Sequence, residues 1–365
     1  MSSKKVLLAH DWLAGFRGGE RVLESFCELY PEAPIYTLLH AKGSTSPLIE
    51  SKTIHTSFLN SIPGIASHYR KFLPFMPLAA ENLKLEEADV VLSSSHCVIK
   101  GAPKPPGSRH VSYVHSPMRY MYDQYDNYFG PTTSLAMRTG GRFFRNYLVN
   151  WDKRSNRNVD LMIANSNFVR DRIRKFYGSD AEVIYPFVEL ADFTSAQSTR
   201  LSKQDYFVMV TAFAPNKRVD LAIRAFNEMK LPLKIIGGGQ LNSELRQMAG
   251  PTIEFLGNVS RLEVIETLAA ARALIFPGVE DFGITPLEAL ASGTPVIAFK
   301  AGGVLETLTE EDTVFFDEPS VESLKEALRR FETTALKPSW DRLQKFSRPR
   351  FLEEISSAVD SLRTN

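Results

Sequence analysis

Cysteine is scarce in this chain. Cys27 and Cys97 are the two among 365 residues. That is too few for a disulfide framework, and no Cys-x-x-Cys pair is present to suggest a zinc site. A reducing compartment, the cytoplasm, is expected. An excess of one charge is also missing. Lys and Arg number 43 and Asp and Glu 42, a formal balance of +1, which argues against a dedicated nucleic-acid binder. No run of about 18 apolar residues occurs, so no membrane span is expected. The opening MSSKKVLLAHDWL has only a short apolar stretch before His10 and Asp11 and reads as neither signal peptide nor anchor. Asp-x-Asp, Walker A and Gly-x-Ser-x-Gly sequences are absent. Their absence removes a common divalent-metal clamp, the P-loop and the nucleophile elbow. Histidine stops at His115, the last of seven, so any imidazole chemistry must come from the first half.

What is present is an α/β pattern. With 44% hydrophobic and 23% charged residues the chain has the balance of a soluble globular protein, and its length implies two domains. Strand-like runs are expected at Val6–Ala9, Ile35–Leu39, Val90–Ser94, His110–Val114, Leu161–Ala164 and Val183–Tyr185. In the second half they fall at Tyr206–Thr211, Leu233–Ile236, Ile253–Leu256, Ala273–Phe276, Pro295–Phe299 and Val314–Phe316. Helical patterns lie between them, one of them over Phe168–Tyr177 and stopping at Gly178. Apolar runs separated by helices indicate parallel sheets covered on both faces.

The aperiodic stretch 186–205, rich in Ser, Thr and Gln, reads as the connection between domains. The expected organisation is an N-terminal Rossmann-like domain over 1–185 and a C-terminal one over 186–346. A last amphipathic helix in 347–365 is free to pack back on the first domain. Open α/β sheets bind ligands beyond the carboxyl ends of their strands. The expected site is therefore built from strand-to-helix turns, in the cleft between two facing sheets.

Five turns or segments stand out. Pro277 to Leu290 follows a strand, and Thr285, Pro286 and Glu288 have the spacing of N-cap, N1 and N3 in a capping box. The turn around Phe282, Gly283 and Ile284 aims backbone N–H groups outward at a helix start, a ready phosphate site. Glu280 stands before it, placed to accept bonds from sugar hydroxyls. Read alone, the segment is equally an ordinary helix start. Lys217 and Arg218 follow the strand 206–211, where two cations suit a diphosphate; a solvated loop has the same look. Gly18 and Gly19 lie between the first strand and its helix, either a close approach to a ligand or a tight turn. The Gly237–Gly239 turn is ambiguous in the same way. His115 ends a strand, as a reactive or a structural imidazole. Residues 138–157 and 69–75 interleave basic and aromatic side chains. They offer a peripheral contact with an anionic membrane, or an ordinary helix with one packed and one solvated face.

Together these turns resemble glycosyltransferase family 4, a retaining group with the GT-B fold. Glu280 and Glu288 match its pair of glutamates separated by seven residues, with Asp281 in place of the usual glycine, and residues 291–298, ASGTPVIA, continue the match. His115 in YVHSPMRY looks like the family histidine, Gly18-Gly19 like its N-terminal loop, and Lys217 like its phosphate-binding lysine. The family's arginine five residues before that lysine is Ala212 here. The PNKRVD run resembles a mannosyltransferase-like branch of lipopolysaccharide and exopolysaccharide assembly.

The resemblance implies hexose transfer, mannose favoured, from a nucleotide-diphosphate sugar, GDP-linked or UDP-linked, to a saccharide or lipid-linked acceptor. No metal and no cofactor are implied. Glu280 would contact the sugar, Glu288 the ribose and Val259 the base. The amides near Gly283 and Ile284, with Lys217 and Arg218, would hold the phosphates, and His115 would lie on the acceptor side. Two other readings stand beside it. One is a GT-B-like nucleotide-sugar epimerase or hydrolase. The other is a non-catalytic sugar-nucleotide-binding subunit of a polysaccharide assembly complex, which the Ala212 departure favours.

Overall fold

The computed structural model describes residues 4–129, 135–194 and 202–362. The chain divides into two compact units. One comprises residues 1–185 and 351–365, the other residues 186–350.

In the first unit the sheet is wholly parallel. Its strands are β1 (Val6–His10), β2 (Ile35–Thr37), β3 (Ile54–Thr56), β4 (Val90–Ser95), β5 (Arg109–Val114), β6 (Leu161–Ala164) and β7 (Glu182–Val183). They lie side by side in the order β3-β2-β1-β4-β5-β6-β7. β1 and β4 are buried along their whole length, and each Leu, Val or Ile so placed contributes about 1.5–3 kcal/mol. β3 escapes the sequence reading because it is a three-residue edge strand, partly or wholly exposed, with no apolar run to mark it. The helix Asn167–Tyr177 ends as its sequence indicates, with Gly178 in the left-handed region at φ 68°.

The second sheet comprises β8 (Phe207–Val210), β9 (Leu233–Ile236), β10 (Ile253–Gly257), β11 (Leu274–Phe276), β12 (Val296–Phe299) and β13 (Thr313–Phe316). Its order is β10-β9-β8-β11-β12-β13, again parallel throughout. In both sheets the first strand of the unit is an interior strand, third from one edge, and the order reverses beside it. This is the Rossmann arrangement, which opens a crevice at the carboxyl ends of the two central strands.

The stretch read as the connection between domains is in part packed structure. Phe187, Val188 and Phe193 are buried, and Val188 bridges to Ser347. Residues 195–201 of that stretch lie outside the described residues. The last helix, Arg348–Ser361, joins the first unit. Phe351 stacks on Phe26 at 6.3 Å and meets Tyr113 edge-on at 5.7 Å. Lys4 Nζ donates to the carbonyl oxygens of Val359, Asp360 and Leu362 at the end of the chain, where a cation suits the negative end of the helix.

One buried ion pair ties the loop after β4 to the long helix Leu135–Ser155. Lys100 and Asp152 are 1% and 0% exposed and bond directly. The Tyr122 and Tyr177 hydroxyls donate to Asp152 Oδ2 at 2.9 Å each, and Lys100 donates to Ser155 Oγ at 2.9 Å. A buried charge stripped of its partner is strongly destabilising. Lys100→Met is expected to cost about 3–5 kcal/mol in urea unfolding. Lys100→Met combined with Asp152→Leu should cost less than the single change.

Candidate active site

The crevice of the first unit is lined by the loops that leave β1, β4 and β5. Asp11, directly after β1, is fully buried and organises the second of these. Its Oδ2 accepts the N–H of His96 at 2.7 Å and of Cys97 at 2.9 Å. Its Oδ1 accepts the N–H of Val98 at 2.7 Å and of Ile99 at 2.8 Å. Burial pushes its pKa up, but His96, the backbone donors and His10 outweigh that and hold the carboxyl below its usual range. His96 Nδ1 lies 3.3 Å from Asp11 Oδ2. Four amides bound to one carboxylate fix the turn that follows β4.

His115 follows β5 and is partly buried. Its Nε2 lies 2.8 Å from Ser94 Oγ, and its ring is 6.2 Å from that of His96. Burial, then repulsion from His96 and His10, pushes its pKa down to about 3 against the opposing pull of Asp11 and Glu20. It is therefore a neutral imidazole at ordinary pH. The predicted Gly18–Gly19 loop opens the helix Gly18–Leu29. A Cβ on Gly19 would stand 3.4 Å from His10 Cε1 and 3.8 Å from His115 Nε2, so the loop lies directly against both imidazoles. His10 itself is fully buried, and neither ring nitrogen has a hydrogen-bond partner among the described residues. Glu20 Oε1 lies 3.9 Å from His10 Nε2, and Glu20 Oε2 accepts the Arg17 N–H at 2.9 Å.

The crevice of the second unit lies between the loops after β8 and β11. Gly278 lets their backbones touch: a Cβ there would stand 2.4 Å from Asn216 O and 2.8 Å from Lys217 Cα. With the loops so close, Lys217 Nζ meets Glu280 Oε1 at 2.5 Å, each side chain about a fifth exposed. Glu280 is anchored in turn by its carbonyl, which accepts the Gly303 N–H at 2.9 Å. Thr211, Lys217, Pro277, Gly278 and Glu280 border a small recess. The Gly237 turn presses on the same place, since a Cβ there would stand 1.9 Å from Thr211 O. Arg218 takes a left-handed conformation at φ 51°, and its Nε donates to Asp220 Oδ1 at 3.3 Å.

The expected capping box is not formed. Gly283, at φ 91°, takes the N-cap position of the helix Ile284–Ala291, which has no side-chain cap. Thr285 therefore falls inside the first turn. Glu288, buried in the second turn, receives Arg261 Nη1 on its Oε1 at 2.7 Å. An arginine paired to that carboxylate is a stronger partner than one backbone amide. Asp281 and Phe282 are buried, and Phe282 lies 5.6 Å from Phe346. Val259 is partly buried in the turn after β10. Asp11, Glu20, His10, His96 and Arg261 were not singled out from the sequence. Glu20 borders the Gly18-Gly19 turn that stands out, but nothing near Arg261 announces a partner 27 residues on. Among the described residues, no group of three or more His, Cys, Asp or Glu side chains is placed to hold a metal ion.

Two wholly parallel sheets in this order are the pair of Rossmann-like sheets that the GT-B fold calls for. The comparisons agree. A family model described as "Glycosyltransferase Family 4" matches residues 16–192, and one described as "Glycosyl transferases group 1" matches residues 191–348. Between them the two models match residues 16–348, so both halves of the chain are similar to glycosyltransferases.

The human alpha-1,3/1,6-mannosyltransferase ALG2 is 26% identical over 56% of this chain and 59% of its own length. A GDP-mannose-dependent phosphatidylinositol monomannoside mannosyltransferase of Corynebacterium glutamicum is 30% identical over 47% and 52%. The O-antigen chain mannosyltransferase RfbU of Salmonella typhimurium is 28% identical over 48% and 55%. The chain thus spans between about half and three fifths of these relatives. Among solved structures, Anabaena HepE with UDP and glucose aligns at a TM-score of 0.67 and 17% identity, over 99% of this chain and 100% of that one. Sucrose-phosphate synthase of Thermosynechococcus elongatus aligns at 0.70 and 16%, over 98% of each. These likenesses show the fold.

The buried imidazoles set an acid limit on stability. His110, at about 4, and His115, at about 3, stay neutral where the unfolded chain takes up protons, so stability falls as pH drops below about 6.5. Glu20, held at about 2 although burial alone would raise it, must stay ionised, so its contribution is lost between about pH 4.5 and 2. His115→Gln should flatten the upper limb of a denaturant-midpoint profile from pH 7 to 3, and Glu20→Gln the lower. An unchanged upper slope in His115→Gln would contradict this assignment.

Proposed function

We propose that the chain is a retaining hexosyltransferase. It takes a hexose, mannose favoured, from a nucleotide-diphosphate sugar, GDP-linked favoured over UDP-linked, to a saccharide or lipid-linked saccharide acceptor. The observation that carries this reading is the Lys217–Glu280 pair, held over the reversal of strand order at β8 and β11. It puts a carboxylate, a group that accepts bonds from hydroxyls, beside a cation, a group that suits phosphate. The mannosyltransferases among the relatives support the choice of sugar.

In this reading Glu280 accepts bonds from the donor sugar and Glu288 from the ribose, while Val259 lies along the base. Lys217, Arg218 and the N–H groups around Gly283 and Ile284 at the helix start hold the diphosphate. The bond from the anomeric carbon to the phosphate oxygen breaks. A bond to the acceptor oxygen forms on the same face, and the acceptor proton passes to the departing phosphate oxygen. The leaving group gathers negative charge as this happens, and preorganised donors aimed at it lower the barrier. No step calls for a metal or cofactor. His115, neutral and held by Ser94, offers an uncharged hydrogen-bonding edge on the acceptor side.

Glu280→Gln and Lys217→Ala should each lower kcat/KM by about 10²–10³-fold with thermal midpoints near that of the parent chain. Parental turnover in both, on the true substrates, would overturn the reading. Ala212, in place of the family arginine, favours a second one: nucleotide binding without turnover. That reading predicts tight GDP or UDP binding and no consumption of donor under any acceptor.

The acceptor class brings a membrane into the proposal, with the protein on its cytoplasmic face. Among the described residues no helix is long and apolar enough to cross a bilayer. The helix Leu135–Ser155, however, exposes Arg138, Arg142, Tyr147, Lys153 and Arg154, together with Phe143 at 78%. Phe75 is exposed at the end of the second segment, 69–75. Cosedimentation with phosphatidylglycerol vesicles should fall with added salt. Reversing Arg138 and Arg142 to Glu should weaken it by roughly tenfold or more. Equal binding to phosphatidylcholine vesicles would remove the electrostatic part of the proposal.

A further inference from the structure

Arg261 opens the helix Arg261–Ala270, behind a capping box formed by Ser260 and Glu263. Its guanidinium is held from two sides. Nε donates to Asp192 Oδ2 at 3.1 Å, and the group lies over the ring of Phe193 at 5.0 Å from its centroid. Phe193 is fully buried, so the ring is a fixed platform. From that seat Nη1 donates to Glu288 Oε1 at 2.7 Å. The Glu288 side chain is only 9% exposed, and a carboxylate so far from water needs a countercharge.

A lysine would neutralise Glu288 but would not set its plane. The planar fork of an arginine, anchored at one nitrogen and backed by an aromatic ring, orients what it binds at another. It takes up one Glu288 oxygen, and the other accepts no hydrogen bond from the described residues. One further group is left over. Arg261 Nη2 is buried and has no partner among the described residues. A purely structural clamp would have no use for a half-satisfied carboxylate, whereas a ligand hydroxyl can donate to its open oxygen.

We propose that Arg261 is a positioning residue for the donor nucleoside: seated on Asp192 and Phe193, it fixes the Glu288 carboxylate in the orientation that receives the ribose hydroxyls. This rests on the reading of Glu288 as the ribose-binding residue.

Calorimetric titration with GDP, UDP and their 2′,3′-dideoxy counterparts tests both. The parent chain should bind the preferred diphosphate roughly 10–100-fold more tightly than its dideoxy form, as hydrogen bonds to a charged group require. In Arg261→Met and Arg261→Lys that ratio should fall to within about threefold, through loss of affinity for the ribose form, with dideoxy binding unchanged. A merely structural role would weaken both ligands together and leave the ratio intact. Asp192→Asn keeps the arginine but loosens its seat. It should lower the ratio part of the way at an unchanged thermal midpoint, and it decides the matter if Arg261→Met does not fold. Discrimination in the parent chain that persists in Arg261→Lys and Asp192→Asn overturns the role of Arg261. Equal binding of ribose and dideoxy forms by the parent chain overturns the reading of Glu288 instead.

Discussion

Where the order of a parallel sheet reverses, the loops leaving two neighbouring strands run to opposite faces, and backbone is left to line the gap. Both units of this protein are built around that constraint. In the second unit the gap is narrow because Gly278 has no Cβ to hold the 215–218 turn away. The Lys217–Glu280 pair exists because the two loops touch. In the first unit the corresponding loops are joined by a carboxylate instead: Asp11, at the end of β1, gathers the amides of His96 to Ile99 after β4. The positions of the side chains follow from how each gap is closed.

Three buried carboxylates among the described residues are met in different ways. Asp11 is solvated by peptide N–H groups. Asp152 is met by Lys100 and two tyrosine hydroxyls. Glu288 is met by an arginine that is itself held by another acid. The first two are closed sets that hold elements together. The third leaves a donor and a carboxylate oxygen uncommitted, and that difference separates a joint from a site.

Much of the fold is legible in the amino-acid sequence because the central strands are buried on both faces. Runs such as Val6–Ala9 and Ala273–Phe276 have no polar interruption to blur them. β3 is not legible, because an exposed three-residue edge leaves no apolar signature. The glycine and charge signals of the site are local, so Gly19, Lys217 and Glu280 stand out by their spacing. The start of the helix Ile284–Ala291 misleads for a physical reason. Thr285 and Glu288 have the spacing of a cap, but Gly283 adopts the left-handed region and takes the cap position. Glu288 is thereby free for Arg261. Arg261 itself is hidden, since its role is set by Asp192 and Glu288, 69 residues before it and 27 after it, a relation that only the folded chain creates.

The helix Arg348–Ser361 gives the first unit a segment from the far end of the chain, with Phe351 resting on Phe26 and Tyr113. The order of synthesis then matters. When Tyr185 leaves the ribosome the first sheet is complete, yet the face that Phe351 covers is still bare. It stays so while roughly 165 more residues are made, about ten to thirty seconds at ordinary elongation rates. Phe26 and Tyr113 wait through that interval with apolar surface open, so the nascent chain passes through a long-lived, incomplete first unit. The time at which this unit becomes whole is set by translation of the second.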